Sequence, residues 1–201
     1  MKSAILMSGG IESTALLYWL RPELAINIDY GQLPASGEAR AARKICAELG
    51  IRLATVSVNC RDLGSGVMSG APASEFAHKD EWWPFRNQLL ITLGCMKCIQ
   101  QGIGRLLIGT VCTDSHYADG TEEFVSRIDD LVVMQEGGVR VEAPAIRMKT
   151  EELIAVSRVP ASLLALSHSC LRSEFGCGEC VGCLKHENVL ANMAVGDCLI
   201  E

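Results

Sequence analysis

A chain of 201 residues is long enough to bury one sizeable core, and one main domain with a small appendage is the expectation. Hydrophobic residues at 49% and charged residues at 21% fit a soluble globular protein, while a net charge of −6 gives no general field for a nucleic acid backbone. The apolar run in MKSAILMSGG is too short for a signal peptide and no stretch reaches the about 18 apolar residues of a membrane span, so the expectation is a cytoplasmic protein with neither membrane nor nucleic acid as partner.

Short apolar runs alternate with longer helical patterns. SAILM (3–7) reads as a strand, IESTALLYWL (11–20) as a helix and ELAINI (23–28) as a second strand. GEARAARKICAELG (37–50) is a helix closed by Gly50, followed by a third strand, IRLATVSV (51–58). A loop rich in Gly, Ser and Pro (59–86) is a candidate lid. Then come a helix (87–102), a fourth strand RLLIGT (105–110), a helix (121–135) and a fifth strand VRVEAP (139–144). This alternation predicts a doubly wound α/β fold with a parallel five-stranded sheet, covered on both faces. Ligands of such sheets sit beyond the carboxyl ends of the strands. There the chain places SGGIEST, DYGQ (29–32) and TVCTDSHYADG (110–120).

SGGIEST has neither the Walker pattern nor G-x-G-x-x-G. Gly9 and Gly10 let a backbone approach closely at a helix start, and Ser8, Ser13 and Thr14 offer hydroxyls to phosphate oxygens. An ordinary strand-to-helix turn is the plainer alternative. A carboxylate at Glu12, so near phosphates, implies an intervening Mg²⁺.

Of ten cysteines, Cys170, Cys177, Cys180 and Cys183 form a C-x6-C-x2-C-x2-C array with turns at Gly178 and Gly182. Four convergent thiolates suit structural zinc, with an iron–sulfur cluster as competitor. GCMKC (94–98) lies in a helical pattern where cysteines often simply pack, and Cys46, Cys60, Cys112 and Cys198 carry no pattern.

SGGIEST resembles the pyrophosphate-binding PP-loop, S-G-G-x-D-S, of the N-type ATP pyrophosphatases, with Glu12 in place of the usual Asp. The ordered set of motifs narrows this to the 7-cyano-7-deazaguanine synthases, the QueC-like proteins, over Met1 to about Lys185. DYGQ with Glu38, FRNQLL (85–90), IGTVCTDSHYADGTEEF (108–124), Pro144 with Lys149-Thr150-Glu151, and SHSC with CGECVGC each match a family segment. The array departs in SCL and CVGC, where the family commonly has S-C-Y and C-x-S-C, and an S-A-L-T-like stretch after the third strand is missing.

The resemblance implies an adenine nucleotide alpha hydrolase-like PP-loop domain over 1–160 and a zinc-binding segment over 161–201, in a homodimer. It implies an ATP-dependent ligase that adenylates the carboxylate of 7-carboxy-7-deazaguanine and joins it to ammonia as amine donor, giving the amide and then the nitrile. Ser8, Glu12, Ser13 and Lys149 would be catalytic, and Ser8, Gly9, Gly10, Ser13, Thr14, Tyr30, Gly31 and Gln32 would bind ATP. Arg86, Asn87, Asp114, Tyr117 and Asp119 would bind the deazaguanine, with Phe85 or Tyr117 stacking on it. ATP, Mg²⁺ and Zn²⁺ are the implied cofactors. The departures leave room for another acceptor, such as a protein amino terminus. A tRNA-modifying sulfur transferase and a non-catalytic nucleotide-binding module are the competing readings.

Overall fold

The computed structural model describes residues 1–197, so Cys198 and the end of the expected 161–201 segment lie outside the described residues. Five strands, β1 (Ser3–Leu6), β2 (Leu24–Asp29), β3 (Arg52–Ser57), β4 (Arg105–Leu107) and β5 (Arg140–Glu142), form one sheet. The order is β3-β2-β1-β4-β5 and every pairing is parallel. The doubly wound five-stranded expectation is met.

Alternation along the central strands sends side chains to opposite faces, and both faces are buried. Ile5 and Met7 of the β1 run join Leu107 of β4 in one core with α1 (Ile11–Leu20), α2 (Ala35–Leu49), α5 (Thr150–Ser157) and α6 (Ala161–Leu164). Ala4, Leu24, Ile26 and Leu106 join the other core, under α3 (Arg86–Gln100) and α4 (Glu122–Val133). Gly94 lets α3 press onto the sheet, because a Cβ there would lie 2.8 Å from Leu106 and 2.9 Å from Leu6. Gly50 ends α2 in the left-handed conformation (φ +66°), with its N–H bonded to Ala47 and Cys46 carbonyls.

Within the 59–86 segment Met68 and Trp83 are buried, and Trp83 meets Tyr30 edge-on with ring centroids 4.9 Å apart. Beyond α6 the chain carries Cys170, Cys177 and Cys180 and then α7 (Val181–Asp197), whose first turn holds Cys183 and whose start the cysteine and glycine pattern conceals. Leu163, Leu164 and Val189 of this C-terminal part pack into the same core as α1 and α2. Among the described residues no helix is long and apolar enough to cross a membrane.

Candidate active site

Strand order reverses between β1 and β4, and the loops leaving their carboxyl ends diverge into a crevice. A cavity of about 360 Å³ lies there, within the range of small-molecule sites. Its walls come from the loop after β1, the end of β2, the start of α3, the segment after β4 and the cysteine-bearing C-terminal segment.

From the first loop and the first turn of α1, Ser8, Gly10, Glu12 and Ser13 line the cavity. Ser8 Oγ accepts from the Gly10 N–H at 3.3 Å and stands 3.2 Å from Ser13 Oγ. Gly10 starts α1 without a side-chain cap, so an anion at this positive helix end would meet unsatisfied N–H groups. Two of the predicted phosphate residues face elsewhere. Thr14 is fully buried and donates its hydroxyl to the Gly10 carbonyl at 2.7 Å. Gly9 adopts φ +82° beneath α2, where a Cβ would lie 2.8 Å from the Glu38 carbonyl oxygen.

DYGQ divides similarly. Tyr30 lines the cavity, while Gly31 makes the turn at φ +98° and donates to Asp29 Oδ1 at 3.0 Å. Gln32 is spent internally: Oε1 accepts from the Tyr30 N–H at 2.9 Å, and Nε2 donates to Glu38 Oε2 at 2.7 Å. Glu38 also faces the cavity, and burial pushes its carboxyl up to about 7 despite the Gln32 amide, which favours the charged form.

Opposite lie Arg86, Asn87, Asp114 and Tyr117. Burial opposes the charge of Arg86, but Tyr30, Asp119, Tyr117 and Asp114 around it hold its pKa above the ordinary value. Among the described residues its guanidinium forms no ion pair, and it contacts Met68 Sδ at 3.4 Å. Asp114 Oδ2 accepts from the Val111 N–H at 3.0 Å, and burial raises its pKa. The Tyr117 hydroxyl donates to Glu81 at 2.8 Å. Asp119, unlike Asp114, does not line the cavity: its carboxylate accepts the Asn87 N–H at 3.1 Å, and the Asn87 amide donates to its carbonyl at 2.8 Å. Phe85 is exposed and likewise outside the lining.

The cation beside Glu12 is Lys185 of α7, for which the sequence carries no signal that separates it from a solvated lysine. Glu12 Oε1 accepts from Lys185 Nζ and, at 2.8 Å, from the Thr150 hydroxyl. Lys149 is exposed and is not among the cavity's lining residues, although its neighbour Thr150 reaches Glu12. His168 was also unforeseen: its N–H donates to the Gly9 carbonyl at 2.8 Å, tying the C-terminal segment to the first loop.

The four array cysteines converge, with all Sγ atoms within 4.8 Å of one another and Cys177 and Cys183 at 3.9 Å. Tetrahedral thiolates at zinc–sulfur distances of about 2.3 Å would sit roughly 3.8 Å apart, so the donor set fits zinc. Backbone N–H groups of Leu171, Cys180 and Cys183 point at these sulfurs from 3.4 to 3.5 Å, which favours thiolates. Cys95 and Cys98 belong to α3 and its core, and burial pushes their thiols up to about 11 and about 12.

The sequence profile of the family described as "Queuosine biosynthesis protein QueC" matches residues 2–194. The 7-cyano-7-deazaguanine synthase of a Nitratiruptor species is 24% identical over 206 residues, covering 91% of this chain and 90% of the relative. That of Methanosarcina mazei is 24% identical over 229 residues, covering 100% and 98%. Among solved structures, the U34-tRNA thiolase NcsA from Methanococcus maripaludis with its 4Fe–4S cluster superposes with a TM-score of 0.54 at 19% identity. That similarity covers 96% of this chain and 64% of the thiolase, and it concerns the fold.

Proposed function

The chain belongs to the QueC family, and from that premise we propose that its cleft joins ATP to the carboxylate of a 7-carboxy-7-deazaguanine, releases pyrophosphate, and passes the activated acyl group to ammonia. The observation that carries this reading is the pairing, across one cavity, of the Ser8–Ser13 anion loop with the Arg86 guanidinium, which forms no ion pair among the described residues. An ionised carboxylate is a poor electrophile until one oxygen becomes part of a leaving group; attack of that oxygen on the α-phosphorus of ATP, with pyrophosphate leaving, would give an acyl adenylate from which ammonia displaces AMP. Arg86 would hold the carboxylate by a two-pronged contact, and Asp114 would accept from the donor edge of a guanine-like ring. The helix α1 start and the Ser8 and Ser13 hydroxyls would receive the departing pyrophosphate.

Mg²⁺ binds such sites through one or two carboxylates together with substrate phosphates, and Glu12, a cleft carboxylate in the first turn of α1, would serve. That ion would neutralise phosphate charge. Zinc in the four-cysteine knuckle would be structural, since closed four-thiolate coordination leaves no open position for chemistry. The test is incubation with ATP, Mg²⁺, 7-carboxy-7-deazaguanine and ammonium. AMP and pyrophosphate, with amide or nitrile detected by mass spectrometry, are the expected products. Release of ADP, or turnover indifferent to the deazapurine, overturns the reading.

A further inference from the structure

We propose that Lys185, carried into the cleft by the cysteine knuckle, is the cation that grips the nucleotide's phosphates, and that Glu12 holds it ready until nucleotide arrives; the inference rests on the cleft being an ATP site. Lys185 Nζ pairs with Glu12 beside Ser8, Gly10 and Ser13, where the phosphates would lie. The two side chains are 42% and 20% exposed, so the lysine has room to move while the carboxylate is held by Thr150.

The charges argue for an exchange of partners. Glu12 alone would repel a triphosphate, and Lys185 cancels that charge in the pair they form. A phosphate arriving with its own divalent cation offers each a better partner: the cation for Glu12, a phosphate oxygen for Lys185. The lysine is not on a loose tail. It follows Cys183 by two residues, and Gly182 passes so close to Ser169 that a Cβ would lie 1.9 Å from the Ser169 carbonyl oxygen. Gly182, Ser169 and Cys170 all line the cleft, and His168 is bonded to Gly9. The knuckle thereby sets where Lys185 can reach.

Calorimetric titration of the full chain with ATP and with inorganic pyrophosphate, in the presence of Mg²⁺, tests this. Lys185→Met is expected to weaken both by roughly tenfold to a hundredfold, the worth of a charge-assisted contact, and Lys185→Arg to recover most of it. Zinc content, melting temperature and binding of 7-carboxy-7-deazaguanine should stay within error, which a merely structural lysine would not allow. Lys185→Gln provides the same charge loss with a polar tip should the methionine variant fold poorly. Binding within twofold of wild type in the Met and Gln variants overturns the inference, as does a loss that falls on Lys149→Met instead. Wild-type protein that binds neither ATP nor pyrophosphate overturns the ATP-site reading itself, and the inference with it.

Discussion

Glu38 shows how one side chain of the cleft couples to the stability of the whole. Its carboxyl is raised from the ordinary 4.5 to about 7, chiefly by burial, so the folded protein holds this proton over a range where the unfolded chain has lost it. Stability therefore falls as pH rises from about 4.5 to about 7 and is constant with respect to this group above that. Glu38→Gln keeps an acceptor for the Gln32 amide and removes the ionisation. The variant should match wild type near pH 4 and exceed it at pH 8 by on the order of 1–3 kcal/mol, read from denaturation at both pH values. A difference independent of pH would refute this. Arg86 is the residue whose chemistry Lys does not reproduce, because a single ammonium forfeits the two-pronged contact. Arg86→Lys should raise KM for the carboxylated deazapurine by about tenfold while leaving the affinity for ATP near wild type, as steady-state kinetics and calorimetry would show.

The start of α3 illustrates what a helix needs from outside itself. Phe85 precedes it in the left-handed region (φ +54°) and supplies no side-chain cap. The cap comes from Asp119, 32 residues along the chain, whose carboxylate takes the Asn87 N–H. Asp119→Ala should cost about 1 kcal/mol, a fall of roughly 2–4 °C in melting temperature for a chain of this size. A role in reading the substrate would instead lower kcat/KM with the melting point unmoved. The helix itself was legible from its apolar spacing, as were all five strands, because periodicity is a local signal. Its cap was not, since nothing within residues 85–90 points to residue 119. The directions of the Thr14 hydroxyl and the Gln32 amide were not legible for a related reason: a motif fixes residue type, but whether a hydroxyl or amide faces the cleft or the backbone depends on what packs around it. α7 stayed hidden because its first turn shares residues with the cysteine array, whose glycines and short spacing read as turns.

At the scale of the molecule, the sheet separates two cores, and the C-terminal segment is stitched to one of them and to the rim of the cleft. Leu163, Leu164 and Val189 enter the core under α1 and α2, whereas His168 bonds Gly9, Lys185 pairs with Glu12, and Gly182 lines the cleft. Between these attachments sit the four thiols, whose mutual repulsion as thiolates needs a cation to hold them within 4.8 Å. With zinc in the knuckle as proposed, its removal should act on the cleft before it acts on the fold. The strands keep their pairing and both cores, so cooperative unfolding of the sheet should persist, at a melting temperature lowered by several degrees. The start of α7 loses its anchor, and with it the position of Lys185 relative to Glu12. Dialysis against a strong chelator, or Cys180→Ser, should release one zinc per chain, weaken ATP binding by about tenfold or more, and speed amide hydrogen exchange in residues 170–190 while the amides of β1 and β2 remain protected. The selectivity of that exchange pattern decides between outcomes: uniform loss of protection would make the knuckle a support for the entire fold, and undiminished ATP binding after complete zinc release would uncouple it from the cleft.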